Sequence, residues 1–242
     1  MKQTYILSYT TDLKIVGGLP QLDFVNCNYG INKESSFIHI EKNWNDKSFK
    51  PDLINCFKFK HLARGRQTDI LSVSFSVFGS AGILVSDRFR DILLEYKLWD
   101  YKIYDMLIPN HKAEFHYNYM HFMSNDSNLE KMFDAVDFPE CKLIGRRIIN
   151  EDPYEEIKED VFFQDKEAYR DFYFDRSKAG LIVKKLALKE EYKDYDLFKN
   201  PLASGGMHIH ISERLKNRLE EEKITGITMT PTTEFRVPYA VE

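Results

Sequence analysis

Apolar and polar residues alternate at period two along Leu71-Ser72-Val73-Ser74-Phe75-Ser76-Val77, as a strand with one buried face requires. Shorter aromatic and β-branched runs at Phe37-Ile38-His39-Ile40 and Cys56-Phe57-Lys58-Phe59 also read as strands. Gly17-Gly18, Asn28–Asn32 and Gly79–Gly82 supply turns between such runs, and the polar stretch Asn43–Pro51 reads as a loop. At Ser86 the period changes. Phe89, Ile92, Leu93 and Tyr96 fall at i, i+3, i+4 and i+7, which is one stripe of a helix. Ser86 suits its N-cap because a hydroxyl can accept from an unpaired first-turn N–H, and Asp87 complements the helix dipole just inside it. Strands are expected next at Tyr101–Ile108 and Phe115–Met123.

The same pattern returns near the other end. Met207-His208-Ile209-His210-Ile211 alternates like a strand, Ser212 caps a helix through Glu221, and Gly226-Ile227-Thr228-Met229 follows as a strand after a glycine turn. Superposing Ser86 on Ser212 sets Asp87 on Glu213, Arg88 on Arg214, Phe89 on Leu215 and Ile103 on Met229. The pattern is that of two related β-α-β lobes or of two ordinary capped units. Between them, Ser127-x-x-Glu130 has the spacing of a capping box for a short helix through Val136. Apolar runs recur at Leu143–Ile149, Ala168–Phe174 and Leu181–Leu188, and the polar stretch Lys189–Asn200 reads as a loop. Strands come first, then mixed elements with few helices, so the expected class is α+β with largely antiparallel sheets. A strand-rich region over 1–79 and an α+β region over 80–242 are expected, or one continuous domain over 1–242.

Composition narrows the class further. With 242 residues, 43% of them hydrophobic, including 18 Phe and 14 Tyr, the chain can bury a sizeable core. Only 11 Gly and 8 Pro exclude collagen-like and low-complexity chains. Three cysteines cannot form a disulfide framework and point to a reducing compartment. The apolar stretch Tyr5–Tyr9 is too short for a signal-peptide core, so a cytoplasmic location is expected. A net charge of −4 argues against generic binding to nucleic acid or to an anionic membrane.

Motifs for catalysis are scarce. His208-x-His210 places two imidazoles on one face of a strand, which is half of a metal site and the basis of an alternative reading as a small metal-dependent hydrolase. No H-E-x-x-H, paired C-x-x-C, G-x-S-x-G or phosphate-cradling glycine loop completes such a site. Cys27, Cys56 and Cys141 read as small buried hydrophobes. Neither a metal nor a cofactor is expected. Lys58, Lys60, Arg64 and Arg66 form a short basic stretch that supports, weakly, a nucleic-acid-binding alternative.

Charge distribution says more than net charge. Glu151–Asp175 carries ten acids against three bases, a net −7, which leaves the rest of the chain at +3. Tyr154, Phe162, Phe163, Tyr169, Phe172, Tyr173 and Phe174 are interleaved with these acids. Steering charge beside aromatic anchors suits the binding of a basic protein. Asp152, Tyr154, Glu155, Glu156, Glu159 and Asp160 are the expected partner-binding residues.

Gly82–Tyr96, GILVSDRFRDILLEY, resembles the hVSxxhxxhh block of immunity proteins from bacterial polymorphic toxin systems, of the myxobacterial type. Ile209–Lys216 and Ile224–Met229 are similar to that family's closing block, in which a Ser-capped helix leads into a GhTGhxF-like strand. Val136–Cys141 resembles its hDhxxS region, with Cys141 where serine is common, and Met229 stands where an aromatic is usual. The resemblance spans roughly residues 80–231. It implies a cytosolic, non-enzymatic protein that binds a cognate toxin, often a nuclease with a basic cleft, and occludes its active site.

Overall fold

The computed structural model describes residues 4–27, 57–72, 82–109, 113–122, 132–151, 154–174, 180–199, 202 and 209–232. The expectations at Phe37–Ile40, Asn43–Pro51, Val73–Val77, Ser127 and Glu130 lie outside them. The protein is α+β, with several antiparallel sheets and few short helices.

The first four-stranded sheet contains β4 (Ile70–Leu71), β5 (Gly82–Val85), β6 (Tyr101–Pro109) and β7 (Glu114–Phe122), in the order β4-β5-β7-β6. Helix α2 (Asp87–Leu94) connects β5 to β6. A second four-stranded sheet has β11 (Leu197–Lys199), β12 (Ile209–Ser212) and β13 (Ile227–Pro231), with α4 (Glu213–Glu221) connecting β12 to β13. Its fourth strand comes from the far end of the chain. Strand β1 (Thr4–Tyr9) lies between β12 and β13, antiparallel to both, giving the order β11-β12-β1-β13.

The two sheets are topological copies, with β1 standing where β7 stands. Ile83, Met120 and Ile103 form a rung across β5, β7 and β6. Ile209, Leu7 and Met229 form the matching rung across β12, β1 and β13. Ile103 and Met229 thus occupy equivalent places, as the superposition of Ser86 on Ser212 requires. Three strand pairings cross residues 79/80, because β4 joins β5 and β1 joins both β12 and β13.

Both lobes bury their apolar residues in one core. Phe89, Ile92 and Leu93 of α2 and Leu215 and Leu219 of α4 pack there with Leu7, Ile70, Val85, Met120, Ile209 and Ile211. The stripe read from the sequence around Phe89 is the buried face of α2. Close approach between the lobes needs a glycine at 226. Gly226 has φ +83, and a Cβ there would lie 2.6 Å from Thr68 Oγ1 and 2.7 Å from the Ile70 carbonyl oxygen.

A third sheet contains β8 (Lys142–Glu151), β9 (Tyr154–Val161) and β10 (Gly180–Lys185), in the order β10-β8-β9. Helix α3 (Lys166–Phe174) packs Tyr169 and Phe172 against its base, with Leu143, Val161, Phe163 and Leu181. Trp99 and Phe198 meet Met132 and Ala135 in a further cluster alongside the two lobes. Two smaller elements complete the description. Strands β2 (Leu22–Cys27) and β3 (Phe57–His61) pair antiparallel, and the single turn α1 (Leu13–Val16) is capped by Asp12.

The polar stretch 189–200, expected to be a loop, contains a 3-10 turn at Glu190–Tyr192 and then β11. All three residues of β11 are buried, and the strand pairs with β12. Three residues are too few to show periodicity, so tertiary pairing alone defines this strand.

Strand β1 is an interior strand with Tyr5, Ile6 and Leu7 all buried. Leu7→Ala is therefore expected to cost about 2–5 kcal/mol in chemical denaturation. Leu107→Ala, at an exposed position on β6, should change stability by less than about 1 kcal/mol. Equal effects at the two positions would contradict the placement of β1.

Candidate protein-binding surface

Five of the six residues expected to bind a partner lie on β9, in the hairpin it forms with β8. Tyr154, Glu155 and Glu156 fall on the first part of β9, opposite Glu151, Asn150 and Ile148 of β8. Glu159 and Asp160 follow on the same strand, opposite Gly145 and Ile144. Asp152 lies outside the described residues. Successive strand residues point to opposite faces, yet Ile157, Lys158, Glu159 and Asp160 are all exposed. This part of β9 thus has solvent on both faces, and β9 is an edge strand of its sheet.

The aromatic residues of this segment divide between core and surface. Phe163 and Tyr169 are buried, with ring centroids 5.5 Å apart, and Tyr169 also meets Phe133 at 5.2 Å and Phe138 at 5.5 Å. Phe172 is half-buried against Phe163, with centroids 5.3 Å apart. These three rings hold α3 on the sheet and are not available to a partner. Phe162, adjacent in sequence to Phe163, is 78% exposed. Among the described side chains, the surface therefore combines Glu159 and Asp160 with Ile157 and Phe162.

The other candidates resolve differently. His210 is fully buried on β12 and stacks on Phe198 at 5.2 Å between ring centroids, while His208 lies outside the described residues. Among the described residues, no group of three or more His, Cys, Asp and Glu side chains is placed to hold a metal ion. Cys141 is buried, and its thiol donates to the Asp137 carbonyl at 3.3 Å. Burial pushes that thiol up to about 11, despite the N–H donated by Ala187, so the thiolate is a negligible species near neutrality. Arg64 and Arg66 of the basic stretch are exposed beside α1.

The strongest electrostatic features were not apparent in the sequence. Asp69, just before β4, accepts from the Ser86 hydroxyl at 2.8 Å and from Arg88 Nη2 at 2.8 Å. Asp196, just before β11, accepts from the Ser212 hydroxyl at 2.7 Å and from Arg214 Nε at 3.1 Å. Each serine hydroxyl also caps its helix, accepting from Phe89 N–H at 3.2 Å and from Leu215 N–H at 3.1 Å. Each aspartate then reaches the opposite lobe. Asp69 accepts from both the N–H and the hydroxyl of Thr225, after α4, at 2.8 Å each. Asp196 accepts from the N–H of Lys97, after α2, at 3.1 Å. These are two matching junctions with reciprocal reach.

Burial acts to raise the Asp69 carboxyl. Hydrogen bonds from Arg88, from the N–H and hydroxyl of Thr225, and from Ser86 outweigh it and hold the group below the usual carboxylate range. Asp196 is held low in the same way. Burial opposes, while Arg214, Ser212 and the Lys97 N–H prevail.

A related pair of contacts fastens each helix to the middle strand of its sheet. Arg90 Nη1 donates to Asn118 Oδ1 on β7 at 2.9 Å, and Lys216 Nζ lies 5.2 Å from the centroid of the Tyr5 ring on β1. Asn118 pairs with Val85 and Tyr5 pairs with Ile211, so the two contacts are equivalent between lobes.

No protein-family model matches the chain, and no curated protein matches it in sequence. Among the described residues, no helix is long and apolar enough to cross a membrane.

Because the folded carboxyls of Asp69 and Asp196 titrate below their unfolded values, their contribution is complete above the unfolded pKa of about 3.9 and is lost as pH falls through the folded values. Asp196→Asn should therefore destabilise the protein at pH 7, by about 2–4 kcal/mol in urea titrations. The gap from the unsubstituted protein should narrow as pH falls below about 4, since Asp196 is protonated in the unfolded chain first and in the folded protein as pH falls further. A gap that stays constant between neutral and acid pH would contradict the charged form as the stabilising species.

Proposed function

We propose that the chain is a non-catalytic, cytosolic immunity protein that neutralises a cognate bacterial toxin by covering its active site. The observation that carries this reading is the hairpin β8–β9, whose strand residues Ile157–Asp160, with the acids Glu159 and Asp160, have solvent on both faces. A strand with no core to cover on either face has few packing reasons for its side chains, and acids at an edge discourage indiscriminate pairing with other strands. A toxin that acts on nucleic acid presents a basic cleft to its substrate. An exposed edge strand bearing acids can enter such a cleft and compete for the same charge, while Phe162 supplies apolar contact beside it. The resemblance of Gly82–Tyr96 and Ile209–Met229 to immunity proteins supports the class. The two matched lobes then serve as the rigid body that carries the hairpin.

The test uses a toxin encoded beside this chain's gene, co-expressed and co-purified with it. Glu155→Lys, Glu156→Lys and Glu159→Lys together should weaken the complex roughly 10–100-fold and flatten its dependence on salt, mostly through faster dissociation. Unchanged affinity and unchanged salt dependence would remove the hairpin from the interface.

A further inference from the structure

Two exposed apolar patches of opposite charge occur on this one chain. Leu13, Ile15 and Leu19 are exposed within seven consecutive residues, with Leu13 at 59%. That segment is held firmly. Asp12 caps α1 through the Lys14 N–H at 2.9 Å, and the Arg66 N–H donates to the Val16 carbonyl at 2.7 Å. Gly17, with φ +76, lies so close to the Arg64 carbonyl that a Cβ would overlap it. Below it, the buried Gln21 side chain donates to the Arg66 carbonyl at 2.6 Å and to Thr68 Oγ1 at 2.8 Å. A rigid loop displaying three large apolar side chains has already met the ordering cost that weakens most flexible surfaces. Lys14, Arg64 and Arg66 surround it, all exposed, and among the described residues none of the three forms an ion pair.

The opposite patch is the base of the β8–β9 hairpin. Ile157 and Phe162 are exposed there beside Glu159, Asp160 and Asp165. These two patches hold five of the seven exposed large hydrophobic residues among the described residues. The loop sets Lys14, Arg64 and Arg66 against the carboxylate of Asp12, and the hairpin base sets Glu159, Asp160 and Asp165 against Lys158, so the two apolar patches carry opposite net charge.

We infer that the occupant of the basic apolar loop is a second copy of this chain, which docks the acidic, Phe162-bearing base of its β8–β9 hairpin there. Charge complementarity sets the pairing, and the apolar residues at the centre of each patch supply the contact area. Both patches are small beside the ~800 Å² per partner of a stable complex, so the association is reversible and weak. The inference is independent of the proposed function, because its test contains no toxin.

The test is sedimentation equilibrium of the full chain. At low salt the weight-average mass should rise above the monomer value as concentration approaches ~100 μM, and should return to it at about 0.5 M NaCl, where charges are screened within a few ångströms. Two charge-swapped variants are then made. One carries Lys14→Glu and Arg64→Glu, and the other carries Glu159→Lys and Asp160→Lys. Each is expected to stay monomeric alone with an unchanged far-ultraviolet circular dichroism spectrum, since its two patches now bear the same sign. An equimolar mixture of the two should associate again, at least about tenfold more strongly than either variant alone. The inference is overturned if the unsubstituted chain is monomeric throughout, if the swaps leave its association unchanged, or if the folded variants fail to associate when mixed. A monomeric chain that instead binds anionic phospholipid vesicles through Lys14 and Arg64 overturns it in favour of a lipid surface.

Discussion

Two buried or half-buried carboxylates hold the lobes of this protein in one arrangement. Asp69 and Asp196 each bind a helix-capping serine and the arginine two residues after it, and each also accepts a backbone N–H from the opposite lobe. A carboxylate has about four acceptor positions, and these sites use most of them. Removing either group strands several donors at once, since the serine hydroxyl, the guanidinium and the crossing N–H all depend on it. The arrangement is reciprocal, because the lobe that supplies an aspartate at one junction supplies the crossing N–H at the other. Neither lobe can rotate away without breaking both junctions.

The same reciprocity constrains the chain's course. The second sheet lacks a strand that the first obtains locally from β7, and β1 supplies it from residues 4–9. The two ends of the chain must therefore meet before that lobe is complete. Contacts of such long sequence separation slow folding but do not weaken the finished structure. Shared burial of Phe89, Leu93, Leu215 and Leu219 in one core supplies the nonpolar attraction that the carboxylates orient.

Local signals in the sequence were legible and distant ones were not. Ser86 and Ser212 announce their helices because capping acts within three residues. The stripe of Phe89, Ile92 and Leu93 and the equivalence of Ile103 with Met229 follow from periodicity and spacing alone. Asp69 and Asp196 carry no such mark, since each stands well before its serine in a turn where lone acids are common. Strand β11 hides in a polar stretch because Leu197, Phe198 and Lys199 are too few to form a pattern. Phe162 and Phe163 show the limit on the binding surface. They are adjacent and chemically alike, yet one is core and one is surface, a distinction fixed by where α3 lands. Glu159 and Asp160 are visible as charge, but their exposure on successive faces of an edge strand arises only from tertiary structure.

The two lobes form one body around a shared core. If the two lobes form one cooperative unit, native-state hydrogen exchange reads it directly. Amides of β5 and β12, one strand from each lobe, should open with the same free energy in the unsubstituted protein. Asp196→Ala should lower both by the same amount, although Asp196 itself belongs to only one of the two lobes. Protection lost from β12 while β5 keeps its original value would show that the lobes are independent and would contradict the account.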